Sequence, residues 1–182
     1  MRVEESIEID RPLKAVFDYV SDVLNYPEWM AHALEVRKDT QGPPQQGERF
    51  TLAIKSVGRR FETPYQRTSY EANRQFTDRA VGGPIPNQRW ESIFQEVPTQ
   101  TRLMRAVEAE GVGLLKVLEA LQKLAVKRQL RKDLKTLMFL TTLITGASGR
   151  GNKQTQDLLL GLLRCRSYKP WLFLRSNDGF VV

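Results

Sequence analysis

This sequence is short of sulfur ligands, of imidazole and of long apolar runs. Cys165 is its one cysteine and His32 its one histidine. A lone cysteine excludes an internal disulfide and a multi-cysteine metal site. With a single histidine, a zinc site of common type is not expected either. No metal and no cofactor are therefore expected. No apolar run reaches the ~18 residues that a membrane span needs. The opening stretch MRVEESIEIDRP is charged and lacks the apolar core of a secretory signal. Together these absences point to a cytoplasmic chain.

Acidic residues are also fewer than basic ones, 21 against 28, for a net charge of +7. The excess is uneven. Residues 1–137 hold 22 Lys/Arg against 19 Asp/Glu, and residues 138–182 hold 6 against 2. Within the first part the excess gathers between Lys123 and Lys135. It reads first as a solvated helix face, and second as a surface for peripheral membrane contact. No nucleic-acid partner is expected, because aromatic residues are not interleaved with the basic ones and no docking motif is present.

What is present is a periodic pattern. Gly111 to Leu137 is the one long stretch with a helical period. Leu114, Val117, Leu118, Leu121, Leu124, Ala125, Leu130, Leu134 and Leu137 recur at steps of three and four, with a gap around 126–129. Such a helix needs a partner surface to cover its stripe. The preceding segments supply one. Val3 to Ile9 alternates as a half-buried strand with Glu5 on its inward side. Asp10 and Pro12 suit a helix start, followed by the apolar positions Leu13, Val16, Phe17 and Val20. Asn25 to Met30 opens a second short helix. From Leu34 the period becomes two, through Phe50–Leu52–Ile54, Phe61–Thr63–Tyr65, Phe76–Asp78–Ala80, Trp90–Ser92–Phe94 and Leu103–Arg105–Val107. Pro64 suggests an edge or a bulge. Consecutive strands with short turns imply an antiparallel sheet.

The expected fold is α+β: a curved antiparallel sheet of about six to seven strands, two short helices after the first strand, and one long C-terminal helix across the concave face. This order resembles the helix-grip superfamily (SRPBCC) of START domains, the major birch pollen allergen and polyketide cyclase/dehydrase-like proteins. The matching stretches are the strand ending in Ile-Asp-Arg-Pro, the helix LKAVFDYVSD, NYPEWM, the Gly47-led hairpin, the pair WESIFQEVPTQTRL and the helix end RQLRKDLKTL. The resemblance covers residues 2–137.

The resemblance implies a pocket between the long helix and the sheet, closed at one end by the short helices. Alternation nominates Trp29, Phe50, Leu52, Phe61, Tyr65, Trp90, Phe94, Leu103, Leu114, Leu118 and Leu121 to line it; each also reads as plain core. An enclosed cavity of that kind suits an apolar or amphipathic small molecule. The leading expectation is binding or transport of a lipid-like or polyketide-like molecule. The alternatives are a polyketide cyclase or dehydratase, and a regulatory protein acting through the basic helix and the tail. For an enzyme the weak catalytic candidates are His32 at the pocket mouth and the inward Tyr65 and Arg105, the latter two because cyclases of the superfamily hold polyketides with inward Arg and Tyr.

Residues 138–182 form a basic, Leu-rich extension beyond the helix-grip domain of residues 1–137. TGASGRG within it resembles a short-chain dehydrogenase fingerprint, with a strand-like run from Met138 to Ile144 before it. One βαβ unit does not make a dinucleotide domain, so residues 145–153 read as a Gly/Ser linker.

Overall fold

The structure is a computed structural model, and it describes residues 1–56, 59–83, 87–109 and 119–148. Seven strands form one sheet in the order β1-β7-β6-β5-β4-β3-β2. They are β1 Arg2–Ile9, β2 Ala33–Lys38, β3 Arg49–Ser56, β4 Arg59–Glu71, β5 Gln75–Ala80, β6 Arg89–Val97 and β7 Gln100–Glu108. Every pairing is antiparallel. From β2 to β7 consecutive strands are neighbours, and β1 forms the other edge by pairing with β7, Glu5 opposite Arg105. Between β1 and β2 come α1 (Leu13–Ser21), a 3-10 turn (Val23–Asn25) and α2 (Tyr26–Trp29). The long helix α3 runs Glu119–Ser148. This is the α+β helix-grip arrangement.

Local chemistry accounts for most boundaries. α1 buries Val16, Phe17 and Val20, three to four residues apart. Phe17 sits edge-on to Phe94, ring centroids 4.9 Å apart, and also meets Phe76 and Tyr70. Asp10 does not cap α1. Pro12 holds the N-cap position without a side-chain bond, and Asp10 is exposed. The capping carboxylate is Asp22, which accepts from Leu24 N at 3.1 Å and starts the 3-10 turn. Pro64 lies in an interior strand, not at an edge. Its carbonyl accepts from Val81 N, just past the end of β5, so the missing N–H costs no ladder bond there. The bulge of β4 comes later, between Arg67 and Ser69.

α3 differs from its expected extent. The expected start at Gly111, with Leu114 and Leu118, lies outside the described residues, as does the side chain of Leu121. At the other end the helix continues past Leu137 to Ser148, so the run from Met138 to Ile144 is helical rather than strand-like. The buried stripe is Leu130, Leu134, Leu137 and Leu140. Leu124, 48 % exposed, is not part of it, and Ala125 is exposed too. The gap at 126–129 shifts the apolar stripe to another face at 3.6 residues per turn. Each leucine of the stripe contributes about 1.5–3 kcal/mol of burial. The compact unit containing the sheet runs Met1–Leu143.

Polar ties hold α3 to β1 and to the residues just after it. Arg131 Nε donates to Glu5 Oε1 at 2.9 Å, and Lys127 Nζ stands 3.6 Å from the same oxygen. Arg11 Nε donates to Thr141 O at 3.2 Å. Thus part of the basic helix face neutralises the inward Glu5. Among the described residues, no helix is long and apolar enough to cross a membrane.

Candidate functional site

Two buried arginines stand on the inner face of the sheet, and their surroundings differ. Arg67 is on β4, where the inward alternation of Thr63 and Tyr65 continues. Its Nε meets Asp78 Oδ1 at 2.8 Å and its Nη2 meets Oδ2 at 3.3 Å. Its Nη1 donates to Glu48 Oε2 and to Ser21 O, each at 2.8 Å. Tyr26 Oη donates to Asp78 Oδ2 at 2.7 Å and accepts from Arg67 Nη2 at 3.3 Å. Lys38 Nζ closes the set at 2.8 Å from Glu48 Oε1. Gly47 places Glu48. It turns at φ +85° and donates from its backbone N to Arg67 O, which swings the next side chain inward.

Burial opposes the Arg67 charge, but Asp78, Tyr26 and Glu48 outweigh it and hold the guanidinium above its ordinary pKa. The Tyr26 hydroxyl is pushed upward by burial and then by Asp78. This cluster is a satisfied ion network. Its members can fix the strands and α2, but their polar atoms are committed to one another.

Arg105, on β7, has no such set. It is 1 % exposed, and neither Nε nor Nη1 has a hydrogen-bond partner. Its Nη2 reaches only Met30 Sδ, at 4.0 Å. Aromatic faces surround the guanidinium instead: its carbon lies 4.5 Å from the Trp29 ring centre, 5.0 Å from Trp90 and 5.7 Å from Tyr26. Burial lowers its pKa, with Tyr26, Asp78, Asp133 and Tyr65 acting in the opposite sense.

A small cavity of about 10 Å³ opens between these groups. That is room for roughly one water molecule. The structure brings four of the nominated lining residues to it: Phe50, Leu52, Tyr65 and Trp90. Arg105 joins them, with Tyr26, Met30 and Asp78. Phe50 and Tyr65 stack across the β3–β4 pair with centroids 5.5 Å apart. Tyr65 Oη donates to Gln88 Oε1 at 2.7 Å, and burial pushes its pKa up to about 12. Trp29 lies behind Arg105. Phe94 belongs to the aromatic core under α1, Leu103 is fully buried, and Phe61 is half-buried. None of these four lines the cavity.

His32 faces α3. Its Nδ1 is 3.6 Å from Asp133 Oδ2. Asp133 Oδ1 accepts from Ala31 N at 3.0 Å and from Gln129 Nε2 at 2.8 Å. Burial lowers the His32 pKa and raises that of Asp133. The pair ties the chain after α2 to the long helix.

Three residues of these clusters carried a readable signal that alternation alone did not use. Arg67 sits at the next inward position after Tyr65. Glu48 precedes Phe50 and Leu52 in the same alternation. Asp133 is the acid embedded beside Leu130 and Leu134.

The family model described as polyketide cyclase/dehydrase and lipid transport matches residues 1–138. No curated protein matches the sequence. Among solved structures, a protein of Thermus thermophilus is similar at 12% identity and TM-score 0.68, covering 79% of this chain and 98% of its own. The Zhui aromatase/cyclase of Streptomyces sp. R1128 is similar at 17% identity and TM-score 0.67, with 83% and 99% covered. A START superfamily protein of Mycobacterium smegmatis is similar at 17% identity and TM-score 0.54, with 73% and 97% covered. At these identities the structures speak for the fold, and the family match supports a ligand-binding or cyclase role. On that match the chain belongs to the polyketide cyclase/dehydrase and lipid transport family.

Proposed function

We propose that the protein binds a small hydrophobic or amphipathic molecule on the inner face of the sheet, at the cavity between α2 with Met30 and strands β3 to β7. The observation that carries this reading is the composition of the cavity wall. Phe50, Leu52, Tyr65, Trp90 and Met30 surround Arg105, whose Nε and Nη1 donors are uncommitted, while the neighbouring Tyr26 and Asp78 are tied to Arg67. Convergent polar groups in an apolar wall are what orient a ligand. The cavity is only about 10 Å³, so entry of a whole molecule requires side chains to move. Met30, unbranched and flexible, and Trp90, half-exposed, are the members able to do so. Native purification followed by mass spectrometry tests the reading. A stoichiometric lipid-like or aromatic molecule is expected, and saturable uptake of an apolar dye by the stripped protein. An interior that takes up neither would end it.

A second reading is a cyclase or dehydratase. One observation favours it: His32 Nδ1 lies 3.6 Å from Asp133 Oδ2, a histidine–carboxylate pair on the segment that follows α2. Acid–base chemistry needs such a set within reach of substrate. The test is turnover of a poly-β-keto thioester by His32→Asn, Tyr65→Phe and Arg105→Met. Loss of turnover with unchanged melting supports catalysis. Loss of melting temperature alone marks the residue as structural.

A further inference from the structure

We infer that Arg105 anchors the ligand's oxyanion, and that the ligand class is a small molecule whose apolar body ends in a carboxylate or an equivalent delocalised oxygen anion. The inference rests on the reading that the cavity is a ligand site, and adds the charge of what enters it.

Donors and acceptors around Arg105 do not balance. The buried side-chain atoms there without a partner are Arg105 Nε and Nη1, Trp29 Nε1 and Ser92 Oγ. Ser92 stands directly opposite Arg105 in the β6–β7 register, and Trp29 is the ring closest to the guanidinium. All of these can donate, and only the Ser92 hydroxyl can also accept. The carboxylates nearby face other cations: Glu5, opposite Arg105 in the β1–β7 register, is held through Oε1 by Arg131 and Lys127, and Glu48 Oε1, which accepts no hydrogen bond, lies 2.8 Å from Lys38 Nζ. Both oxygens of Asp78 are taken by Arg67 and Tyr26. Asp133 turns its carboxylate to Ala31, Gln129 and His32. Glu48 is held between Arg67 and Lys38.

A buried cation with no carboxylate is costly. Three aromatic faces offset part of that cost, but they cannot satisfy N–H groups lying in the guanidinium plane. A carboxylate can, because its two oxygens match the arginine fork. A carbonyl oxygen alone would satisfy one donor and leave the charge uncompensated. The cavity beside Arg105 has room for about one water, so a carboxylate enters as Met30 and Trp90 shift, and Phe50, Leu52 and Trp90 provide an apolar wall for the body behind it. The pKa of Arg105, lowered by burial, would be restored by an added anion.

The experiment compares benzoate with benzamide, an uncharged molecule of the same shape, on the full-length protein by calorimetry and thermal shift. Benzoate is expected to bind saturably, at least about tenfold tighter than benzamide. The preference should persist at high salt, because a buried pair is little screened. Arg105→Met should weaken benzoate at least about tenfold and leave benzamide within about twofold. Equal binding of the two molecules by the wild type overturns the inference, as does benzoate binding unchanged in Arg105→Met. The wild-type pair decides the matter even where the variant fails to fold. Uptake of both molecules without preference removes the anion and leaves the ligand-binding reading intact. Uptake of neither removes both.

Discussion

Arg67 and Arg105 are both fully buried on one sheet face, yet they solve desolvation in different ways. Around Arg67 every charge has a counter-charge in hydrogen-bonding range: Asp78 on β5, Glu48 just before β3, and Tyr26 at the start of α2. Around Arg105 there are ring faces and unpaired donors. A saturated network ties elements together and has little left to offer a ligand. An unsaturated one adds little to the fold and keeps its donors for a guest. The difference teaches that a buried arginine in this fold must be classed by its partners and not by its burial.

Breaking the saturated side should give the largest effect. Asp78→Ala leaves Arg67 with one carboxylate and the Tyr26 hydroxyl without its acceptor. A loss of roughly 3–5 kcal/mol is expected in urea denaturation. Tyr26 touches both regions, its hydroxyl on Asp78 and its ring 5.7 Å from the Arg105 carbon. Tyr26→Phe therefore separates them. It should cost about 1.5–3 kcal/mol of stability while benzoate affinity stays within about twofold. A parallel fall in affinity would show that the two regions are not independent.

A smaller effect concerns pH at the third cluster. Burial depresses the folded-state pKa of His32 below 6.5. The stability contributed by its neutral form is therefore present above 6.5 and lost as pH falls through the folded-state value. Asp133 acts in the opposite sense. Its folded-state pKa is raised above 3.8, so its contribution is present below 3.8 and lost as pH rises. His32→Asn isolates the first slope. Its melting temperature should fall less than that of the wild type as pH drops from about 7 towards 5. Identical pH profiles would contradict the assignment. The smallest change should come from Lys14→Ala, which removes an exposed pair with Asp18; stability should stay within about 0.5 kcal/mol.

Much of the fold was legible because each strand carries its own period-two signal. Val3 and Ile9, Phe50 and Leu52, and Leu103 and Arg105 alternate cleanly, and a hairpin sheet needs little else to be read. The long helix was legible as a type but not in its span. Leu124 keeps the helical step in sequence, yet only a partner surface decides which stripe is covered. Ser148 was hidden because Thr, Gly and Ser read as linker when packing is unknown. At the site, Arg105 could be placed inward by alternation. That it lacks an acid could not, because pairing across β4, β5 and the turn before β3 depends on three-dimensional register. Arg67 is the instructive miss. It lies one inward step past Tyr65 on a strand that runs on to Glu71, but alternation along one strand does not say that Asp78, Glu48 and Tyr26 meet there.

The contrast between the two arginines is tested most directly by urea denaturation of Arg67→Met and Arg105→Met beside the wild type. Arg67→Met, which strands Glu48 and Asp78 in the core, should lose about 3–5 kcal/mol or fail to fold. Arg105→Met strands no partner, exchanges a bare cation for an apolar chain, and should stay within about 1 kcal/mol of the wild type. Equal and large losses in both would contradict the account, because Arg105 would then be holding the fold and not waiting on a ligand.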